Sequence, residues 1–225
     1  MNSGAATAPG AAMAPGTALI DIPRLEEWMS AHIEGFTGPI AVKHFAGGQS
    51  NPTFLLECPG RRYVLRRKPS GKLLPSAHAV DREYRVITAL EGTEVPVARG
   101  FGLCRDPSVL GADFYVMDHV EGRIFWTAAL PEVSAENRRA IYLEMTRVLA
   151  AMHSVDYTTV GLGDYGKPTE YVARQVSRWT QQYRASATDT IEAMERLIEW
   201  LPQNVPADDE TSLVHGDFRD RKSVV

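Results

Sequence analysis

The sequence predicts an α+β chain of two lobes, a small antiparallel sheet followed by a helical region. Three observations carry that expectation. Side chains alternate with a period of two between Ile40 and Arg66, the pattern of half-buried strands. From Ser134 to Leu201 the apolar positions recur at helical spacing instead. Strands gathered first and helices second indicate segregated layers rather than alternating βαβ units. With 225 residues and 44% apolar side chains the chain can bury one large core or two small ones.

Taken in order, residues 1–17 are rich in Ala, Gly and Pro and bury too little apolar surface to offset ordering, so a disordered arm is expected. Pro23 to His32 carries Leu25, Trp28 and Met29 at helical spacing, which predicts a short packing helix. Strands are expected at Ile40 to Phe45, Pro52 to Glu57 and Arg62 to Arg66, the last two joined as a hairpin through Cys58-Pro59-Gly60-Arg61. Val80, Tyr84 and Ile87 fall at i, i+4 and i+7 and predict an amphipathic helix. Phe114 to Met117 reads as a buried strand, and Asp118 to Gly122 as a connector between lobes.

Ser134 is a plausible N-cap for a helix striped by Ile141, Met145, Val148, Leu149 and Met152. Pro168 suits the first position of a helix striped by Val172, Val176, Trp179 and Tyr183. Asp189 and Glu192 stand at capping-box spacing at the start of a helix striped by Ile191, Met194, Ile198 and Leu201. The domain expectation is an arm at 1–17, a first lobe at 18–120, a helical lobe at 121–219 and a tail at 220–225.

Charge and cysteine usage exclude several classes. The 24 basic and 28 acidic residues give a net charge of −4, which argues against nucleic acid or an anionic membrane as partner. The two cysteines, Cys58 and Cys104, fit neither a disulfide framework nor a zinc cluster. Residues 1–16 lack the basic and apolar regions of a secretory signal, and no apolar run is long enough to span a bilayer. A cytoplasmic, soluble protein is the expectation.

Four segments carry chemistry. Gly47-Gly48-Gln49-Ser50-Asn51 combines glycines, whose backbone N–H groups approach phosphate oxygens closely, with Ser and Asn donors; an ordinary hairpin loop has the same composition. In Tyr63-Val64-Leu65-Arg66, alternation puts Arg66 on the face of Val64. Arg61, Arg62, Arg66, Arg67, Lys68 and Lys72 occur without an acidic neighbour, either a solvated rim or a cradle for an anionic tail such as that of a coenzyme A ester. Glu83 emerges on the apolar face of its helix, three residues after Val80, and an acid facing inward needs a partner. In His215-Gly216-Asp217-Phe218-Arg219 a glycine turn presents a carboxylate, beside a histidine that either supports the loop or forms an H-x-D metal pair.

Four pieces in this order, Gly47-Gly48-Gln49-Ser50-Asn51, Tyr63-Val64-Leu65-Arg66-Arg67-Lys68-Pro69, Asp81-Arg82-Glu83-Tyr84-Arg85 and His215-Gly216-Asp217-Phe218-Arg219, resemble the aminoglycoside phosphotransferase (APH) family, and in particular its branch linked to acyl-CoA dehydrogenases. The resemblance runs from about Ile40 to Arg219 and implies a bilobal protein-kinase-like fold with an incomplete second lobe. It implies transfer of the ATP γ-phosphoryl to a small-molecule hydroxyl, with a hydroxyacyl-CoA or hydroxy acid as the acceptor class. Asp217 becomes the catalytic carboxylate. Gly47, Gly48, Gln49, Ser50, Asn51, Arg66, Glu83, Met117, His119 and Val120 become the nucleotide site, with Arg66 and Glu83 as an ion pair and Arg66 facing Asp217 across a cleft. ATP and Mg2+ are the implied cofactors, and fusion or association with an acyl-CoA dehydrogenase the implied partnership.

The pattern departs from the family after Phe218. Lys222 stands where the family has a metal-binding asparagine, and the later metal-binding aspartate has no counterpart. Asp220 to Val225 coincides with one reading frame of a sequencing adapter, so a non-native tail on a truncated chain is expected. That chain is expected to be marginally stable and inactive, with an exposed apolar patch. A nucleotide-binding module without turnover and a metal-dependent hydrolase using His215 and Asp217 are the competing expectations.

Overall fold

The computed structural model describes residues 20–45, 51–69, 79–125, 127–207 and 210–218. The expected arm, the Gly47 to Ser50 loop, Lys72, Arg219 and the tail lie outside the described residues. The chain forms two compact units, one running to Ser134 and the other spanning Ala135–Phe218.

The first unit is built on α1 (Ile22–His32), β1 (Ala41–His44), β2 (Thr53–Cys58), β3 (Arg61–Arg67), α2 (Val80–Leu90), β4 (Gly100–Cys104), α3 (Pro107–Leu110) and β5 (Phe114–Asp118). Its sheet has five strands in the order β1-β2-β3-β5-β4, every neighbouring pair antiparallel. The helix and the three strands read from the first part of the sequence are all present. Pro59 and Gly60 link β2 to β3, and Gly60 takes φ 75°, a backbone region where a side chain would be strained.

Residues directly opposite in an antiparallel pair share a face, so register divides the sheet into two chemistries. Phe54 opposite Leu65, Leu56 opposite Tyr63 and Val116 opposite Leu65 define an apolar face. Against it α1 lays Leu25, Trp28 and Met29, which makes the main core. Leu25 and Met29 are fully buried, each contributing roughly 1.5–3 kcal/mol of transfer free energy. Asp21 starts α1 by accepting the Arg24 N–H at 3.2 Å. The other face carries Thr53, Val64, Arg66, Tyr115 and Met117.

The sequence reading left out β4 and α3. Glycines at 100 and 102 weaken the strand signal, yet close packing requires both. A Cβ on Gly100 would stand 2.8 Å from Tyr84 and Thr88 of α2, and one on Gly102 would stand 2.9 Å from the Trp28 indole. The strand is also irregular between those residues. The short α3 is capped by Asp106, which accepts the Ser108 N–H at 2.8 Å, and is closed by Gly111 at φ 77°.

The second unit contains α4 (Ala135–His153), α5 (Tyr171–Ser186), α6 (Glu192–Trp200) and a 3-10 turn at Leu201–Gln203. The helix α4 begins directly after Ser134 and buries Ile141 and Met152 from its expected stripe. Two helix starts differ from expectation. Pro168 precedes α5 instead of opening it, because Glu170 turns left-handed at φ 55° and the Pro168 carbonyl accepts the Thr211 hydroxyl. No capping box forms at α6: Ile191 is the N-cap residue, which leaves Asp189 upstream of the helix. Among the described residues no helix is long and apolar enough to cross a membrane.

Candidate functional site

The polar residues of the second sheet face converge on one carboxylate. Strand pairing places Arg66 between Thr53 of β2 and Tyr115 of β5. The helix α2 contributes Glu83, which receives the Arg66 Nε–H at 2.6 Å on Oε2 and an Nη2–H at 3.4 Å on Oε1. Tyr115 donates its hydroxyl to Oε2 at 3.2 Å, and Asn51 donates its amide to Oε1 at 2.8 Å. Arg66 Nη1 also reaches Thr53 Oγ1 at 3.4 Å, whose hydroxyl in turn donates to the Asn51 carbonyl at 3.1 Å.

Each oxygen of Glu83 thus accepts two donors. The pair is about one-third exposed, 31% for Arg66 and 34% for Glu83, so solvent screens it and its value lies more in orientation than in stability. The carboxylate holds the guanidinium by its Nε side, which leaves the outer Nη edge able to donate to an anion. Two oxygens of a phosphate match that edge. The partner inferred for Glu83 is therefore observed, and Arg82 and Arg85 do not take its place.

Asn51 is 2% exposed and spends an amide donor on Glu83. Met117 lies directly opposite Val64, so both flank Arg66 on its face. His119 is half-buried, with no hydrogen-bond partner for Nδ1 among the described residues, while Val120 is 50% exposed. Sequence reasoning missed Tyr115 and Thr53. Their signal is the register, which becomes readable only once β5 is known to lie beside β3.

Among the described residues strand alternation and distant acids disperse the arginine run: Arg61 and Arg62 are exposed, as a solvated rim requires, whereas Arg66 and Arg67 are not. Arg61 pairs with Asp118 at 3.5 Å and stacks 4.5 Å from the Phe101 ring centroid. Arg62 pairs with Glu121, and Arg66 with Glu83. Arg67 points into the core at 2% exposure and donates to the Leu110 carbonyl at 3.2 Å.

Burial pushes the Tyr115 phenol well above its ordinary range, and the negative charge of Glu83 adds to the effect, with Arg66 opposing it. The phenol therefore stays a proton donor throughout the neutral range.

In the second unit, Gly216 takes φ 76° and turns the chain between His215 and Asp217. The Asp217 N–H donates to His215 Nδ1 at 3.3 Å, and the His215 ring meets Phe218 edge-on at 5.6 Å between centroids. His215 thus braces the turn that displays Asp217. The described residues contain no group of three or more His, Cys, Asp or Glu able to hold a metal ion.

An antiparallel sheet with a helix-borne glutamate aligning a strand-borne cation is the architecture of the kinase-like phosphotransferases. The match to the phosphotransferase enzyme family (APH) covers residues 41–221, and the chain belongs to that family. A crystal structure described as an aminoglycoside phosphotransferase from Ralstonia eutropha is 52% identical, with a TM-score of 0.81 over 92% of this chain and 61% of that one. The fold is also that of aminoglycoside phosphotransferase APH(4)-Ia in complex with AMP-PNP and hygromycin B, at 18% identity and a TM-score of 0.60, covering 89% of this chain and 66% of that one.

Among curated relatives, acyl-CoA dehydrogenase family member 10 of Mus musculus is 49% identical over 81% of this chain and 17% of its own length. Member 11 of Gallus gallus is 47% identical over 95% of this chain and 28% of its own length. The chain therefore spans less than a third of either relative.

Proposed function

We propose that the chain is an ATP-dependent phosphotransferase acting on a hydroxyl of a small molecule, with a hydroxyacyl-CoA or hydroxy acid as the acceptor class. The Arg66–Glu83 ion pair at 2.6 Å carries this reading. In such a transfer the acceptor oxygen forms a bond to the γ-phosphorus as the bond to the β-bridging oxygen breaks, and ADP leaves. Arg66 holds phosphate oxygens through its outer edge, and Asp217 orients the acceptor hydroxyl and takes its proton late. Gly47, Gly48, Gln49 and Ser50 supply loop donors to the phosphates, while Met117, His119 and Val120 border the base.

Magnesium offsets phosphate charge in transfers of this class when it is bound. The described residues do not form its site. The acceptor class draws its support from the relatives named as acyl-CoA dehydrogenase family members, and the same names support fusion or association with such a dehydrogenase. A cytoplasmic setting, where ATP is plentiful, accords with it.

The test pairs ATP titration of the purified chain with an acceptor panel of 3-hydroxyacyl-CoA, free 3-hydroxy acid and an aminoglycoside, using γ-labelled ATP. Expected is ATP binding that Arg66→Met weakens at least ten-fold, with label transfer to a hydroxyacyl acceptor only once the asparagine and aspartate that hold magnesium in the family are supplied. An Arg66→Met chain that binds ATP as tightly as the unsubstituted one overturns the reading. Lys222 at the position of the family's metal-binding asparagine favours one alternative, a nucleotide-binding module without turnover. Its mark is ATP binding with no labelled product from any acceptor even with those metal ligands supplied.

A further inference from the structure

The hydroxyl of Tyr115 needs an explanation that ring packing does not provide. The ring fills space on the α2 side of β5, 5.7 Å from the Tyr84 ring, and a phenylalanine would fill the same space. A buried hydroxyl costs free energy unless it is hydrogen-bonded, and Tyr115 is 2% exposed. The acceptor is Glu83 Oε2 at 3.2 Å, the oxygen that takes the Arg66 Nε–H at 2.6 Å. Asn51 grips the other oxygen at 2.8 Å. Two neutral donors from β5 and from the segment before β2 thus fix both oxygens of a carboxylate that also orients a cation.

We propose that Tyr115 is a positioning residue of the phosphate site: its phenol locks the Glu83 carboxylate in the rotamer that turns the outer edge of Arg66 toward the nucleotide phosphates. This rests on the phosphotransferase reading. The geometry explains why two clamps are needed. Glu83 reaches Arg66 from a helix, through a side chain with three rotatable bonds, and Arg66 alone holds it by one short and one long hydrogen bond. With the phenol removed, the carboxylate rotates about Oε1 and Asn51, the short bond to Nε lengthens, and the guanidinium plane is released. Because burial keeps the phenol protonated, the clamp works unchanged across the neutral pH range.

The experiment compares Tyr115→Phe with the unsubstituted chain by calorimetric titration of ATP and, separately, of adenosine. Circular dichroism and the denaturant midpoint accompany both to establish the fold. Expected is an ATP affinity lowered roughly five-fold, the effect of one hydrogen bond to a charged group transmitted in part, with adenosine affinity unchanged. In an Arg66→Met background the same exchange is expected to cause no further loss, since the cation it positions is gone. Equal losses for ATP and adenosine, or no loss for ATP, overturn the inference and leave Tyr115 a packing residue. An unsubstituted chain that binds no ATP overturns the phosphotransferase reading, and this inference with it. ATP binding that survives Tyr115→Phe undiminished sinks the positioning role alone.

Discussion

Arg66 and Arg67 are neighbours in sequence with opposite physics. Arg66 keeps a charge-assisted partner and partial hydration, whereas Arg67 is buried with its Nε unpartnered among the described residues and one hydrogen bond to a neutral carbonyl. Desolvation accordingly lowers the Arg67 pKa. Replacing such a charge by an apolar side chain of similar length removes a desolvation penalty. Arg67→Met is expected to be at least as stable as the unsubstituted chain in urea denaturation. A loss above about 2 kcal/mol would point to an ionic partner for Arg67. Glu83→Gln should leave the fold intact and lower ATP affinity roughly ten-fold by titration, because the amide has a single oxygen to accept on and turns an NH2 donor toward the remaining donors. The Arg66–Glu83 pair was legible before the structure: alternation assigned the face of Arg66, and helical phase turned Glu83 inward. Tyr115 was not, since its spatial neighbour β3 is separated from it in sequence by α2, β4 and α3.

At the scale of elements, legibility followed side-chain pattern and failed where backbone approach decided. Val80, Tyr84 and Ile87 declared α2 by spacing, and Pro59-Gly60 declared the hairpin. Gly100 and Gly102 hid β4, because their role is to leave room for Tyr84, Thr88 and Trp28, which no local pattern records. Gly102→Ala is expected to destabilise the first unit by about 1–3 kcal/mol in denaturant unfolding. Trp28 cannot easily yield, being stacked on His32 at 4.8 Å and set edge-on to Phe114 at 4.9 Å between centroids. Caps add a pH term. Hydrogen bonds from Ser108 to Asp106, and from Thr158 and Thr159 to Asp156, hold both carboxyls below their usual range. A carboxyl depressed in the folded state stabilises it above the unfolded pKa and loses that contribution as pH falls through the folded one. Stability is therefore expected to decline below about pH 4, and the acid limb of a melting profile to flatten in Asp106→Asn with Asp156→Asn.

Over the whole molecule, the two units differ in how they bury surface. The first concentrates its core between α1 and the sheet. In the second, α5 and α6 contain no fully buried residue, and Tyr171, Trp179, Leu197 and Trp200 are exposed. Elements with few buried apolar contacts open at low free energy. Amide exchange is expected to be slowest in β3 and β5 and fastest in α5 and α6; uniform protection across both units would contradict this. The α+β class was readable from strands preceding helices, and the kinase-like type from four ordered motifs. The change of unit after Ser134 was not, since it depends on contacts made far along the chain.

Trp28 also equips the first unit with an optical gauge. Its indole is 9% exposed and touches rings on two sides, whereas Trp179 and Trp200 are 59% and 56% exposed. Emission from Trp28 should appear at shorter wavelength, apart from that of the two water-facing indoles. With Trp126, Trp179 and Trp200 replaced by phenylalanine, loosening of α1 from the sheet would then register as a red shift of Trp28, giving a colour signal for the body that holds Arg66.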